Sequence, residues 1–241
     1  MTPRRSIRRI SCVLTALGMG IALTACGQSE HGPAAAPSAQ PQSPSSSGAA
    51  PAAASPYDIA RVDNVQGDFP AGFEAEPHPT KALSQQDIEH SGVVALTKAT
   101  INPPQCRSLI IPPYAEPTVG THAAGTKAEG DQGSIDVVAL RKDQPLPASP
   151  LPAGCDKVTM SGAPQVSGTA ERIPAPTIPG VTTTGVKISP ADEDDDPDYI
   201  YTAALDNQTS VAVIGSTADD LNPQQMLSDL LVKATAAVRG Q

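Results

Sequence analysis

A low-complexity segment at residues 27–56 limits how much of this 241-residue chain can fold. It consists almost entirely of Ala, Pro, Ser, Gln and Gly, with six prolines and no Ile, Leu, Val or aromatic residue. Such a composition cannot bury enough apolar surface to offset the entropy that is lost on ordering. We therefore predict a disordered, partly polyproline spacer that spans about 90 Å when fully extended. All six aromatic residues follow it, which indicates a single globular domain at residues 57–241.

Residues 1–25 have the features of an export signal. Four arginines precede an uncharged, mostly apolar stretch at residues 10–23, which is shorter than the roughly 20 residues of a transmembrane helix. The stretch runs into Leu-Thr-Ala-Cys at residues 23–26, which resembles the bacterial lipobox. We therefore predict cleavage before Cys26 and lipidation of its thiol, with the acylated cysteine and the spacer forming residues 26–56. The alternatives are an ordinary secretory signal with a coincidental cysteine, or an uncleaved anchor.

The charge of the processed chain argues against several classes of partner. The whole sequence has a formal charge of −9, and removal of the four leader arginines leaves 12 basic against 25 acidic residues, or −13. A negative protein is repelled by nucleic acid and by anionic lipid surfaces. Two Phe, four Tyr and no Trp also provide few stacking platforms for bases. We expect no nucleic-acid partner, and attachment to the extracytoplasmic face of the cell membrane through Cys26 alone.

Two of the four cysteines remain once Cys12 leaves with the leader and Cys26 is acylated. In an oxidising compartment, a lone pair within one domain is most simply a disulfide, so we predict a bond between Cys106 and Cys155. A reactive thiol or a metal-binding pair is the alternative. Neither cysteine lies in a CxxC motif or near a histidine in sequence.

Local patterns predict several strands and two helices in the domain. The first helix is expected at residues 84–98, with Ser84 as its N-cap and an acidic residue at the third helical position. The last helix is expected from Asn222 as N-cap, through an apolar stripe, to a stop at Gly240. Strands are predicted over residues 68–76, 118–129, 134–141, 155–161, 163–172 and 181–189.

The clearest supersecondary pattern is a hairpin near the end of the chain. Residues 199–205 and 209–216 are β-prone and are separated by Asp-Asn-Gln. The second run is apolar on both faces, which indicates a central strand. Together the elements predict an α+β domain with a mostly antiparallel sheet and helices packed on one face.

The domain resembles a group of mycobacterial lipoproteins of unknown function, which itself resembles the extracellular sensor domain of the PknH-type serine/threonine kinases. The resemblance rests on the lipobox and linker and on Asp-Phe-Pro-Ala-Gly-Phe at residues 68–73. It continues with the helix from Ser84, Pro-Pro-Gln-Cys at 103–106, Gly-Cys at 154–155 and the terminal hairpin and helix. It implies a twisted antiparallel sheet with helices and a cleft for an unidentified ligand. The kinase domains carry two disulfides, whereas this chain can make one.

The sequence contains no recognisable catalytic or metal-binding motif. His31, His78, His90 and His122 lack partners at metal-ligand spacing, and no nucleophile elbow, Walker loop or dinucleotide fingerprint occurs. Residues 192–198, from Asp192 to Asp198, hold six acids, which indicates either a calcium loop or a solvated acidic loop. An EF-hand loop has Gly at its sixth position and Glu at its twelfth, and neither a loop that starts at Asp192 nor one that starts at Asp194 has them. We therefore predict no catalytic residue, no metal and no cofactor.

These observations favour a membrane-anchored cell-envelope lipoprotein with a non-catalytic, ligand-binding or sensor-like domain. Its partner would be a small molecule, a lipid or another envelope protein. The alternatives are a cell-envelope hydrolase whose catalytic groups are scattered in sequence, and a structural or assembly partner of another envelope protein. A deep apolar cleft would support ligand binding, and a flat apolar patch would support a protein partner.

Overall fold

Nine strands form one antiparallel sheet in the computed structural model, which describes residues 56–91, 93–147, 150–162, 167–192 and 195–241. The strands are β1 Phe73–Ala82, β2 Thr100–Asn102, β3 His122–Gly130, β4 Gly133–Arg141, β5 Lys157–Ser161, β6 Gly168–Ile173, β7 Thr182–Pro190, β8 Asp198–Ala204 and β9 Thr209–Thr217. They lie in the order β1-β3-β4-β9-β8-β7-β6-β5-β2, and every neighbouring pair is antiparallel. The α-helices are α1 Gln85–Glu89, α2 Val93–Lys98, α3 Arg107–Ile110 and α4 Pro223–Arg239. Short 3₁₀ segments occupy Ile59–Asp68, Pro104–Cys106 and Asp219–Leu221. A large antiparallel sheet with a modest helical content fits the α+β class.

The predicted terminal hairpin is confirmed and lies at the centre of the sheet. Strands β8 and β9 pair from Asp198 opposite Ser216 to Ala204 opposite Ser210. On its other side β9 pairs with β4 along its whole length. The run at residues 211–214 is apolar on both faces because both sides of this central strand are covered.

Helix α4 and the first 3₁₀ segment cover one face of the sheet, which we call the α4 face. Tyr201 and Val213 are direct cross-strand partners on this face. They are buried in one apolar cluster with Val62 of the 3₁₀ segment and with Leu227 and Leu231 of α4. The apolar stripe of α4 is therefore core, as its periodicity predicts.

The opposite face, which we call the disulfide face, carries its own apolar cluster. Ile200 of β8 and Val186 of β7 are cross-strand partners there and pack in one cluster with Leu109 of α3. Cys106 and Cys155 belong to the same cluster. Helices thus pack on both faces, and the prediction of helices on one face is wrong. The physical reason is that β8 and β9 present apolar side chains on both sides, so each side needs a cover.

The first predicted strand is displaced. Residues 59–68 form a 3₁₀ segment, and β1 runs from Phe73 through Pro77 and Pro79 to Ala82. The two prolines do not end the strand because β1 is an edge strand, which tolerates proline where the backbone N–H would face solvent. The three-residue strand β2, which forms the other edge, was not predicted.

Both helix predictions need correction in detail. Ser84 does cap α1 through a capping box with Asp87, with N···O distances of 3.2 and 2.9 Å. The expected helix at 84–98 is divided, however, into α1, which ends at Glu89, and α2, which begins at Val93. Asn222 has a left-handed backbone (φ 50°) and makes no side-chain capping bond. The predicted stop at Gly240 is confirmed, with φ at 76°.

Candidate functional site

A cleft of about 560 Å³ lies on the disulfide face, at the end of the sheet where β8 turns into β9. Four separate parts of the chain line it: the segment after α3, the loop after β4, the start of β7 and the β8–β9 turn. The described lining residues are Pro113, Tyr114, Leu146, Pro147, Pro150, Gly180, Thr182, Ala204, Leu205, Asp206 and Asn207. This volume falls within the range of small-molecule sites, which is about 300–1,000 Å³.

One wall is fixed by Tyr114. Its hydroxyl lies 3.0 Å from the Thr202 hydroxyl and 3.4 Å from the Thr184 hydroxyl, which are neighbours on β8 and β7. The Tyr114 carbonyl accepts a hydrogen bond of 2.9 Å from the Ser210 hydroxyl. The tyrosine is therefore bonded to three adjacent strands, which holds its ring in the wall before any ligand arrives.

A second part of the lining is fixed by the β8–β9 turn. Asp206 Oδ1 accepts hydrogen bonds from the backbone N–H groups of Gln208 (2.8 Å) and Thr209 (2.6 Å). This is an Asx-type turn, a local structure that aspartate and asparagine favour. The Asn207 carbonyl accepts the N–H of Leu146 at 2.8 Å, which joins the loop after β4 to the turn.

Lys142 joins the segment that follows Tyr114 to the β8–β9 turn. Its backbone N–H donates to the Gln208 carbonyl at 2.9 Å, and its ammonium donates to the Glu116 carbonyl in the segment that follows Tyr114. The residue is only 7 % exposed, and burial lowers the pKa of Lys142. Since this amine binds the Glu116 carbonyl, Lys142 stabilises the fold and is not among the described residues that line the cleft.

The chemistry of the cleft is mainly apolar. Prolines, leucines and Tyr114 provide most of the lining, while Thr182, Asn207 and Asp206 add polar groups near the turn. Sites that bind small molecules combine such an apolar lining with a few placed polar groups. The arrangement can therefore bury an apolar ligand and hold one polar end of it.

A second cavity of about 510 Å³ lies beside β6 and β7 and has a different character. Arg172 and Asp156 both line it, with 3.8 Å between the guanidinium Nη1 and the carboxylate Oδ1. Thr183 also lines it, but its hydroxyl is bonded to the Pro176 carbonyl at 2.7 Å. Because its polar groups largely satisfy one another, this cavity is a weaker candidate.

Two half-buried carboxylates lie on the disulfide face at the other end of the sheet. Burial raises the pKa of Asp136, and the nearby Lys127 and His78 partly oppose this effect. Burial also raises the pKa of Asp198, against a hydrogen bond from Ser216. Perturbed carboxylates can mark functional sites, but these two line neither cavity.

The predicted disulfide is present between Cys106 and Cys155, whose Cα atoms are 5.2 Å apart. Both residues are buried, Cys106 at the end of a 3₁₀ segment and Cys155 just before β5. Cys26, predicted to be acylated, lies outside the described residues, as do His31, residues 1–25 and almost all of the spacer.

The described histidines are dispersed. His78 is on β1, and His90 Nδ1 lies 2.8 Å from the Gln86 carbonyl at the end of α1. His122 Nε2 is 3.9 Å from Asp143 Oδ1. Within the described ranges, no three His, Cys, Asp or Glu residues are grouped closely enough to hold a metal ion. Two members of the acidic run at 192–198 lie outside those ranges, so its calcium alternative stays a prediction.

The model of a domain of unknown function, DUF5642, matches residues 58–239, which is most of the chain. The chain belongs to the DUF5642 family. The cleft, the disulfide and both apolar clusters all lie within the DUF5642 match. No curated protein matches the sequence.

The fold of this chain is similar to a solved mycobacterial structure. It is the X-ray structure of an uncharacterized protein, described as the Rv0999 ortholog, from Mycobacterium smegmatis. The TM-score is 0.56 at 20% identity, over 77% of this chain and 98% of that chain. At this identity the likeness shows the fold alone. A family of unknown function with a mycobacterial structural relative agrees with the broader part of the resemblance seen in sequence.

Sequence reasoning did not find the cleft residues. They are spread over nearly 100 positions, from Pro113 to Asn207, and no short motif contains them. The signals in the sequence are the prolines Pro113, Pro147 and Pro150, which by themselves indicate loops rather than a ligand site. In the part of the chain that the structure describes, no helix is long and apolar enough to cross a membrane.

Proposed function

We propose that this DUF5642 protein is a lipid-anchored, extracytoplasmic binding protein whose cleft takes an apolar small molecule or lipid. The observation that carries the proposal is the apolar cleft of about 560 Å³ beside Tyr114 and the β8–β9 turn. Its size and its mixture of apolar lining with a few polar groups match those of ligand sites. The role is binding rather than catalysis.

The walls support this proposal because hydrogen bonds hold them in place. Tyr114 is bonded to β7, β8 and β9, and Leu146 is bonded to the turn through the Asn207 carbonyl. A site whose walls are ordered in advance loses less conformational entropy on binding, so more of the contact energy becomes affinity. The sensor-like role comes from the sequence resemblance to the PknH-type kinase domains, which implies a cleft in the same kind of sheet.

The proposed anchor is diacylglyceryl-Cys26. Two acyl chains on one residue reach the number that stable membrane attachment requires. The test is Cys26→Ala in the full chain, with Cys12→Ala as the control because that cysteine lies in the leader. The expected result is loss of membrane retention and of globomycin-sensitive processing in the Cys26 variant only. Unchanged membrane fractionation would refute the anchor.

Cleft binding is tested with N-phenyl-1-naphthylamine, a neutral apolar probe whose fluorescence rises in an apolar site. Thr182→Trp adds an indole to the lining, and Thr159→Trp makes the same change at an exposed threonine of β5, outside the cleft. We expect the affinity to fall by about tenfold for the Thr182 variant, which corresponds to about 1.4 kcal/mol. The control should bind as the unmodified protein does.

A probe that binds all three proteins equally would place binding elsewhere, and no binding at all would refute the cleft as an apolar site. Native mass spectrometry of the full chain purified from its own host complements the probe. The expected result is a co-purified lipid or small molecule that Thr182→Trp removes and Thr159→Trp retains.

A further inference from the structure

Among the described residues that line the cleft, the one with a formal charge is Asp206, a carboxylate. Neither lysine, arginine nor histidine occurs in that lining. Lys142, which bonds to the segments that flank the cleft, is buried and donates its ammonium to the Glu116 carbonyl. The lining is thus apolar with a single negative charge at the β8–β9 turn.

Asp206 is held rigidly enough to act as a fixed charge. Its Oδ1 accepts the backbone N–H groups of Gln208 and Thr209 at 2.8 and 2.6 Å, and its own N–H donates to the Thr209 carbonyl at 3.4 Å. Both side-chain bonds use Oδ1, which leaves the other carboxylate oxygen available to a ligand. The side chain is half-buried, so water screens it less than it screens a carboxylate on an open surface.

Tyr114 adds a second feature that attracts cations. Tyr114 lines the same cleft, and its hydroxyl is bonded to Thr202 and Thr184. The face of an aromatic ring attracts an organic cation, and quaternary ammonium groups are recognised by aromatic side chains in this way. An anionic head group would instead meet Asp206 with no basic residue in the described lining to balance it.

We propose that the ligand of this cleft is a cationic amphiphile, with an alkyl or other apolar body in the cleft and an ammonium-type head beside Asp206. This inference rests on the proposed binding function and specifies its ligand class. The cleft then rejects fatty acids and other anionic lipids of the same chain length, because repulsion from an unbalanced carboxylate opposes their binding.

The test compares two probes of equal chain length, decyltrimethylammonium and decanoate, as competitors of N-phenyl-1-naphthylamine at pH 7 and below their micellar concentrations. The protein is the full chain. We expect the cation to bind at least about tenfold more tightly than the anion, since unit charges a few ångströms apart at a protein surface interact by several RT. Raising the salt concentration should reduce the ratio.

Asp206→Asn isolates the charge. Asparagine keeps the side-chain oxygen that accepts the two turn hydrogen bonds, so the fold of the turn is retained. The expected cation-to-anion ratio falls to about one while the neutral probe still binds. Asp219→Asn is the matched control, because it removes the same charge from the turn at the opposite end of β9. Its ratio should equal that of the unmodified protein.

The outcomes separate the two proposals. If the neutral probe binds and the two decyl probes compete equally, the cationic ligand class is refuted and the cleft stands. If Asp219→Asn changes the ratio as much as Asp206→Asn, the preference reflects net charge and the assignment to Asp206 is refuted. If no probe binds, the cleft itself is refuted. A thermal midpoint within about 1 °C of the unmodified protein confirms that each variant is folded.

Discussion

At Gly215 of β9, helix α4 packs closely against the sheet. A substitution at this glycine tests that packing. It lies on the α4 face, opposite Tyr199 of β8 and Ile135 of β4. A Cβ atom placed on this glycine would be 2.9 Å from Cδ2 and 3.0 Å from Cδ1 of Leu227. Leu227 is fully buried, so its side chain has little space into which to move.

The change Gly215→Ala should therefore destabilise the domain through overpacking. Adding a methyl group to a well-packed core costs typically about 1–3 kcal/mol. The reduced entropy of the unfolded chain offsets up to about 1 kcal/mol of this, since the backbone at this strand position suits alanine. We expect a net loss of about 1–2 kcal/mol. With a urea dependence of about 2 kcal/mol/M, the midpoint falls by roughly 0.5–1 M.

A double substitution shows whether Leu227 is the cause. Leu227→Ala alone should cost about 3 kcal/mol, because it leaves a cavity beneath α4. In the double variant the methyl group of Ala at position 215 occupies part of that cavity. The double variant should therefore lose at least about 1 kcal/mol less stability than the sum of the losses in the two single variants.

Gly67→Ala is the matched control. This glycine is in the first 3₁₀ segment, and a Cβ there meets nothing within 4 Å. We expect unchanged or slightly increased stability. If Gly215→Ala is also neutral, or if the double variant is simply additive, the close contact between β9 and Leu227 does not limit packing and the reasoning is wrong.

Three further perturbations test other parts of the fold. Cys106 and Cys155 are 49 residues apart, so replacing both with alanine should lower the free energy of unfolding by about 4 kcal/mol, measured in urea without reductant; equal stability would contradict this. Burial, with a smaller effect of Tyr199, raises the pKa of Tyr201 to about 12. The contribution of neutral Tyr201 to the free energy of unfolding should therefore be fully present below pH 10 and should be lost as the pH rises above it. Tyr201→Phe should flatten that fall. Because burial raises the pKa of Asp136, its charged form costs stability as pH rises through its folded pKa, and Asp136→Asn should gain more stability at pH 7 than at pH 3.

Local signals explain which elements could be predicted from the sequence. The β8–β9 hairpin and α4 are set by contacts between neighbouring residues, by turn residues and by a helical stripe, so both were found. The capping box at Ser84 was also found. The division between α1 and α2 was not, because a Ser-Gly step after His90 is only a weak break signal. Strand β2 has three residues and no pattern of its own.

Long-range contacts explain most of the errors. Pro77 and Pro79 end a strand in the interior of a sheet but not at its edge, and position in the sheet is not visible in the local sequence. Helices cover both faces because α3 and the disulfide lie across the sheet from α4, an arrangement that depends on the whole strand order. The cleft has the same origin, since Tyr114, Leu146 and Asp206 meet only through tertiary structure.

The two edges of the sheet have a consequence for copies of the protein that stand close together. Proteins tethered to one surface collide side by side far more often than proteins in free solution, and unpaired strands are the usual sites at which such collisions become aggregates. Here Pro77 and Pro79 remove two donors from the exposed ladder of β1, and β2 offers only three residues. Neither border of the sheet can template a continuous intermolecular ladder. Copies of the protein can therefore stand close together without polymerising through their strands.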